Sequence, residues 1–395
     1  MKFFSRISSA NKLDELILEL MKDSEKEYDL GILFIAQHPY PNIQKLIAGI
    51  NGTIKIKNLL GCTCAGIIGS TQEIERRPAV SLILAKLPNV NILPFSMTQN
   101  QLENLNTQQD WYHFFNLSAS EKPIFITLPD PFLFDMNQFF SGLKKAFPGQ
   151  PVIGGLASAA MQSHGNTLIV DDELFHEGVV GIVLSGDIQV ETVVSQGCRP
   201  IGETHIVTKA EGNIIKTIAG KTFLESLRET FEQTTDRDKI LAQEAIFIGL
   251  AMDEYKHHYR RGDFLIRMVL QIDPSTGAGI IGDQIKTGQT VQFHVRDAQT
   301  ATEDLNVLLK MQQITSPTIK PKGALVFSCN GRGEQLFKEK NHDMTIIQNQ
   351  IGPLPAAGFF CAGEIGPIGG QNFLHGFTAS IALFYPLKSN PTPTS

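Results

Sequence analysis

Short apolar runs closed off by turn residues set the strongest limit on what this chain can fold into. Residues 31–35, 80–85, 123–128 and 179–184 are of this kind. Each is too short for a buried helix and too evenly apolar for a half-exposed strand, so each reads as a strand covered on both faces. Residues 188–195 and 205–210 alternate instead, with Glu211-Gly212-Asn213 as a hairpin turn. Between these runs lie marked helices. Met136, Phe139, Phe140, Leu143 and Phe147 form one stripe behind Asp135 as N-cap and before a Pro148-Gly149 stop. Thr222-Phe-Leu-Glu225 is a capping-box pattern followed by Leu227 and Phe231. Asp297 caps a helix with Ala301, Leu305, Leu308 and Leu309 on one face. Leu13, Leu16, Ile17, Leu20 and Met21 mark residues 1–27 as an N-terminal amphipathic helix.

Helices and strands neither alternate strictly nor segregate. That predicts an α+β fold of two lobes, with mixed sheets and helices packed on them. The 395 residues are enough for two to three domains. The expected division is a helical segment 1–27, a first domain 28–220, a second 221–385 and a disordered tail 386–395. Cys64-Ala-Gly-Ile-Ile-Gly69 and Cys361-Ala-Gly-Glu-Ile-Gly366 share five of six residues, an echo that suggests internal duplication.

Charge narrows the partners. Lys and Arg number 34 against 40 Asp and Glu, a net charge of −6, which argues against a nucleic-acid binder working by bulk attraction. No run of about 18 apolar residues exists and the N-terminus lacks an apolar secretion core, so no membrane insertion is expected. Five cysteines at irregular spacing (Cys62, Cys64, Cys198, Cys329, Cys361) fit reduced thiols in a cytoplasmic protein.

Candidate chemistry concentrates towards the C-terminus. Residues 324–329 read as a buried strand ending in Asn330-Gly-Arg-Gly333, where Arg332 can clamp a carboxylate or propionate through paired donors. Residues 357–370 hold five glycines, the pattern of a pocket wall, with Cys361 and Glu364 among them. Period-two alternation sets Gln292, His294 and Arg296 on one face of residues 291–296, and Asp263 and Arg267 on one face of residues 263–270. Asp263, Arg267, His294 and Arg296 are therefore expected to line one side of a pocket, near Cys329, Arg332 and Glu364. No catalytic motif accompanies Cys329 or Cys361. A cysteine nucleophile activated by His375 or His342 is the lesser alternative to a non-enzymatic binding protein.

Together these residues resemble the FIST family from about residue 28 to residue 385, as a FIST N-domain over 28–220 and a FIST C-domain over 221–385. In the first half the matching stretches are Leu60-Gly-Cys-Thr-Cys-Ala-Gly66, Pro151-Val-Ile-Gly-Gly-Leu-Ala-Ser158 and Ser195-Gln-Gly-Cys-Arg-Pro-Ile-Gly202. In the second they are Arg261-Gly-Asp-Phe-Leu-Ile-Arg267, Val291-Gln-Phe-His-Val-Arg-Asp297, Phe327-Ser-Cys-Asn-Gly-Arg-Gly333, Gly358-Phe-Phe-Cys-Ala-Gly-Glu364 and Leu374-His-Gly-Phe-Thr378. The resemblance implies an intracellular sensory module that binds a small ligand, with amino acids as one proposed class. It carries no output domain here, so it is expected to signal through a partner such as a histidine kinase. One branch of similar layout binds haem and senses nitric oxide. For such a non-covalent haem b, His294 and His375, each with phenylalanine neighbours, are the candidate axial ligands.

Overall fold

The computed structural model of the protein describes residues 1–36, 42–118, 120–315 and 320–387. Two compact units emerge: the first takes residues 1–194, 306–374 and 378–395, the second residues 195–305 and 375–377. The first unit opens with β1 (Lys2–Ser8) and α1 (Leu13–Met21), then β2 (Glu27–Tyr28) and β3 (Leu30–Ala36). Next come α2 (Ile43–Thr53), β4 (Lys55–Ile56) and β5 (Leu59–Cys64). β3 and β5 run parallel, which requires the crossover that α2 supplies. A hairpin of β6 (Gly66–Gly69) and β7 (Glu73–Glu75) follows, and β8 (Ala79–Lys86) returns antiparallel to β3. After β9 (Val90–Met97), α3 (Gln99–Glu103) and α4 (Gln108–Phe115), the same order recurs. β10 (Ile124–Pro129), α5 (Met136–Ala146) and the parallel β11 (Val152–Gly155) are followed by a hairpin of β12 (Leu168–Val170) and β13 (Glu173–Phe175) and the return strand β14 (Val179–Gly186).

β15 (Ile188–Gln196) carries the chain into the second unit. There β16 (Cys198–Glu211), β17 (Ile214–Ile218), β18 (Lys221–Thr222), α6 (Phe223–Gln233) and α7 (Asp236–Glu244) precede four further strands. These are β19 (Ile246–Ala251), β20 (Phe264–Ile272), β21 (Gly279–Ile281) and β22 (Thr290–Arg296), with α8 (Ala298–Thr315) starting behind them. Neighbours follow the order β16-β22-β19-β20-β21-β17, and β17 pairs again with β16. The sheet thus closes on itself as an antiparallel barrel, with β18 paired to β17 beside it. Ile201, Val207, Ile248, Leu250, Phe293 and Val295 fill it, with Phe223 and Leu227 of α6 packed in.

The chain then re-enters the first unit for a third round: β23 (Gly323–Cys329), α9 (Glu334–Phe337), α10 (His342–Ile351) and the parallel β24 (Ala356–Cys361). The hairpin β25 (Glu364–Ile368) and β26 (Gln371–His375) and the return strand β27 (Thr378–Pro386) complete it. The sheets run β1-β8-β3-β5-β12-β13, β9-β14-β10-β11-β25-β26 and β15-β27-β23-β24-β6-β7. Each round therefore lends its hairpin to the sheet of another round, and its trailing strand (β9, β15) becomes the edge of the next sheet. The third sheet position of that kind, beside β8, is filled from the other end of the chain by β1. One apolar core joins all three sheets, with Phe34, Phe327 and Phe359 in ring contact at 4.9–6.4 Å.

The mixed α+β architecture with helices on sheets is as the sequence implies. Residues 1–27 differ: the apolar stripe does form α1, but Lys2–Ser8 is a strand, because pairing with β8 supplies backbone partners that no local periodicity announces. The six-residue echo lies within one unit, at the β5–β6 and β24–β25 turns, and β24 and β6 pair directly. The caps at Asp135, Thr222 and Asp297 and the turn at Gly212 (φ +59°) form as read. Most of the expected tail, residues 388–395, lies outside the described residues. No helix among the described residues is long and apolar enough to cross a membrane.

Candidate functional site

Four of the eight sequence-selected residues gather at the carboxyl ends of β23 and β24, in the first unit. Cys329 and Cys361 are register partners across the parallel pair, Arg332 follows in the turn and Glu364 opens β25. Arg332 is fully buried and clamps the protein's own Asp343, from Nε to Oδ2 at 2.9 Å and from Nη2 to Oδ1 at 2.8 Å. Ser328 Oγ donates to Asp343 Oδ2 at 3.1 Å, and His342 Nδ1 lies 3.0 Å from Asp343 Oδ1. Phe337 lies 5.1 Å from the guanidinium and stacks on His342 at 3.4 Å. Burial works against the Asp343 charge, but Arg332 and His342 override it and hold the carboxyl well below its ordinary range. The sequence reading of Arg332 as a free clamp is thus corrected: its fork is already filled, and among the described residues only Nη1 is buried without a hydrogen-bond partner. Glu364 Oε2 accepts from Thr378 N at 3.0 Å and Oγ1 at 2.8 Å.

Cys62, Cys64 and Cys361 are fully buried. Burial pushes the Cys62, Cys64 and Cys361 thiols up, away from the thiolate a nucleophile needs. Cys361 Sγ donates to Phe359 O at 3.4 Å, and a Cβ on Gly155 would fall 2.3 Å from that sulfur.

The other four selected residues belong to the second unit. Register sets Ile248 opposite both Arg267 and Phe293, so Arg267 stands on the barrel's inner-face row, paired with Asp283 at 2.6 Å. His294 and Arg296 stand on the opposite, outer face. The single wall expected from Arg267, His294 and Arg296 is therefore split, because alternation within each strand does not reveal how neighbouring strands are phased. Asp263 is engaged by Lys256 Nζ.

The outer face carries polar groups that are buried without a hydrogen-bond partner among the described residues. His294 is buried against Phe264 (ring centroids 5.4 Å), and its Nδ1 lies 3.0 Å from Gln292 O. Burial lowers its pKa to about 4, against the backbone bond, so the ring is neutral at pH 7. Gly249 leaves room for that ring, since a Cβ there would meet Cε1 at 2.4 Å. Arg296 lies over Phe377 at 5.4 Å, and its Nε and Nη2 are buried without a hydrogen-bond partner among the described residues. Gln196 Nε2 donates to Phe264 O at 2.7 Å, leaving Oε1 likewise buried and unmatched. Phe377 is held by its carbonyl, which accepts from Gly197 N at 2.8 Å, and has φ +63°, a costly conformation for an aromatic residue. His375 is buried in the same segment. Sequence reasoning missed Gln196, Phe377 and Asp343. Each sits inside or near a family-like stretch, yet its role depends on partners distant in the chain.

Residues 29–221 match the FIST N domain and residues 224–367 the FIST C domain. The chain is similar to an uncharacterised protein of Mycobacterium tuberculosis, 39% identical over 339 residues and covering 86% of each chain. An uncharacterised protein of Mycobacterium bovis is 38% identical over 326 residues, 82% of each chain. FIST domains are sensory domains that bind small ligands. With both domain matches in order and relatives aligned over most of their length, the chain belongs to the FIST family.

Proposed function

We propose that this sensory protein binds a small carboxylate-bearing ligand on the outer face of the second-unit barrel and relays its presence to a signalling partner in the cytoplasm. One observation carries the reading: Arg296 offers two buried donors and Gln196 one buried acceptor, none of them matched among the described residues. Unmatched buried polar groups cost free energy unless something fills them. Two guanidinium N–H groups suit a carboxylate, and an amide oxygen suits an ammonium or hydroxyl. An amino-acid-like ligand supplies both. Four of the family-like stretches, at 195–202, 261–267, 291–297 and 374–378, contribute to this unit. A histidine kinase is the partner class we favour. Relay then requires that the ligand favour one conformer, since equal affinity for two shifts neither.

A second reading, haem b, is favoured by His294. Its Nδ1–H can be held by Gln292 O, the arrangement that orients a ligating imidazole, while Arg296 suits a propionate and Phe247, Phe264 and Phe377 supply apolar walls. Bound haem would supply an iron able to take nitric oxide. His375 is the alternative ligand.

The test is titration calorimetry of the full chain with amino acids and small carboxylates, beside an absorption spectrum after haem addition. Arg296→Ala is expected to weaken the bound ligand at least tenfold. Binding indifferent to both Arg296→Ala and Gln196→Leu removes the site. A sharp Soret band lost in His294→Ala selects haem over the amino-acid class.

A further inference from the structure

In the first unit, beside the buried Arg332–Asp343 clamp, a polar cavity of about 500 Å³ opens between the edge strand β7 and the loop leading to α10. The volume is that of an ordinary small-molecule site. Its frame is tied down by the protein's own bonds. Glu73 N donates to Asn341 Oδ1, Glu334 N to Glu75 Oε1 and Met344 N to Glu73 Oε1, each at 2.8 Å. Gly333 (φ +68°) is required there, because a Cβ would fall 2.2 Å from the Glu75 carboxylate.

Three cations line this space: Arg76, Arg77 and Lys340. None makes an ion pair among the described residues; Arg76 only donates to Gln335 Oε1 at 3.3 Å. Arg76 even adopts φ +56°, an unusual backbone for a non-glycine residue. Three glutamates, Glu73, Glu75 and Glu334, share the lining. We propose that this cavity binds a small phosphate monoester with free hydroxyl groups, the phosphate held by Arg76, Arg77 and Lys340 and the hydroxyls donating to Glu75 and Glu334. Arginine forks match phosphate oxygens, and carboxylates accept sugar hydroxyls. The floor supports an anion too. Burial, with Asp343 and Glu75 adding and Arg332 and the Met344 N–H opposing, raises the Glu73 carboxyl to about 8, so it is a neutral donor at pH 7. Above pH 8 it gains charge at the floor and opposes the ligand; Asp343, with His342 Nδ1 at 3.0 Å, lies behind it.

The experiment is titration calorimetry of the full chain at pH 7 with ribose 5-phosphate, AMP, inorganic phosphate and ribose. Saturable binding of one or both esters, tighter than inorganic phosphate and absent for ribose, is expected. AMP preferred over ribose 5-phosphate selects a nucleotide, and the reverse a sugar phosphate. Arg77→Ala/Lys340→Ala, two exposed positions whose change should leave folding intact, is expected to weaken binding at least tenfold. Arg296→Ala should leave it unchanged, which separates this site from the barrel face. Affinity should fall between pH 7 and 9 in the native protein and less in Glu73→Gln. No saturable ester binding, or equal binding in the double variant, overturns the proposal.

Discussion

The buried guanidinium of Arg332 shows what a residue-level reading can and cannot reach. Its presence beside a glycine turn marked it as special, but its partner Asp343 lies eleven positions on in another element, with no spacing rule to link them. Removing one member strands the other's charge, so Arg332→Ala is expected to cost about 3–5 kcal/mol in urea unfolding. Arg332→Met combined with Asp343→Leu should recover most of that loss, because no unpaired charge remains. His294 makes a pH prediction. Its folded pKa, about 4, lies below the ordinary 6.5, so its contribution is complete above pH 6.5 and lost as pH falls towards 4. Urea midpoints across that window should decline, and by less in His294→Phe. Glu73 has the opposite sign: its folded pKa, about 8, is raised, so its contribution is complete below about 4.5 and lost as pH rises through 8. Glu73→Gln should therefore flatten stability on the alkaline side.

At the scale of elements, local chemistry was legible wherever neighbours in sequence decide the outcome. Thr222 and Glu225 bond each other's backbone as the capping-box pattern requires, so Thr222→Ala should cost about 1 kcal/mol by thermal or urea unfolding. The buried runs became β3, β8, β10 and β14 because nothing but a doubly covered strand can hide so many apolar side chains in so few residues. β1 escaped notice for the converse reason. Lys-Phe-Phe-Ser-Arg-Ile-Ser has no clean period, and its seven register pairs with β8 come from residues about eighty positions away. The split of Arg267 from His294 has the same origin. Which face a side chain takes within its strand is local, whereas phasing between strands is set by barrel closure. A test sits at Gly249: Gly249→Ala should displace the His294 ring, and its NMR-measured titration should move up towards the ordinary histidine range.

For the whole molecule, the threefold order makes the place of β1 intelligible. Each return strand is followed by an edge strand of the next sheet, and β1 completes that cycle from the wrong end of the chain. Phe3 of β1 lies against Phe384 of β27, ring centroids 5.3 Å apart, so the two ends of the cycle are close. A circular permutant joining residue 387 to residue 2, reopened near residues 105–107, should fold to the native circular dichroism spectrum with nearly the same urea midpoint. Collapse of its cooperative transition would show that the order of synthesis, rather than the cycle, holds the sheets together. The barrel enters this cycle between the second and third rounds, where the corresponding stretch between the first and second holds, among the described residues, α3 and α4. Loop closure grows only logarithmically with the residues spanned, so the framework tolerates a long excursion there almost as readily as a short one. Selection is then free to rewrite the barrel's outer face, residue by residue, while the three interlocked sheets keep the same arithmetic of hairpins lent and edges covered.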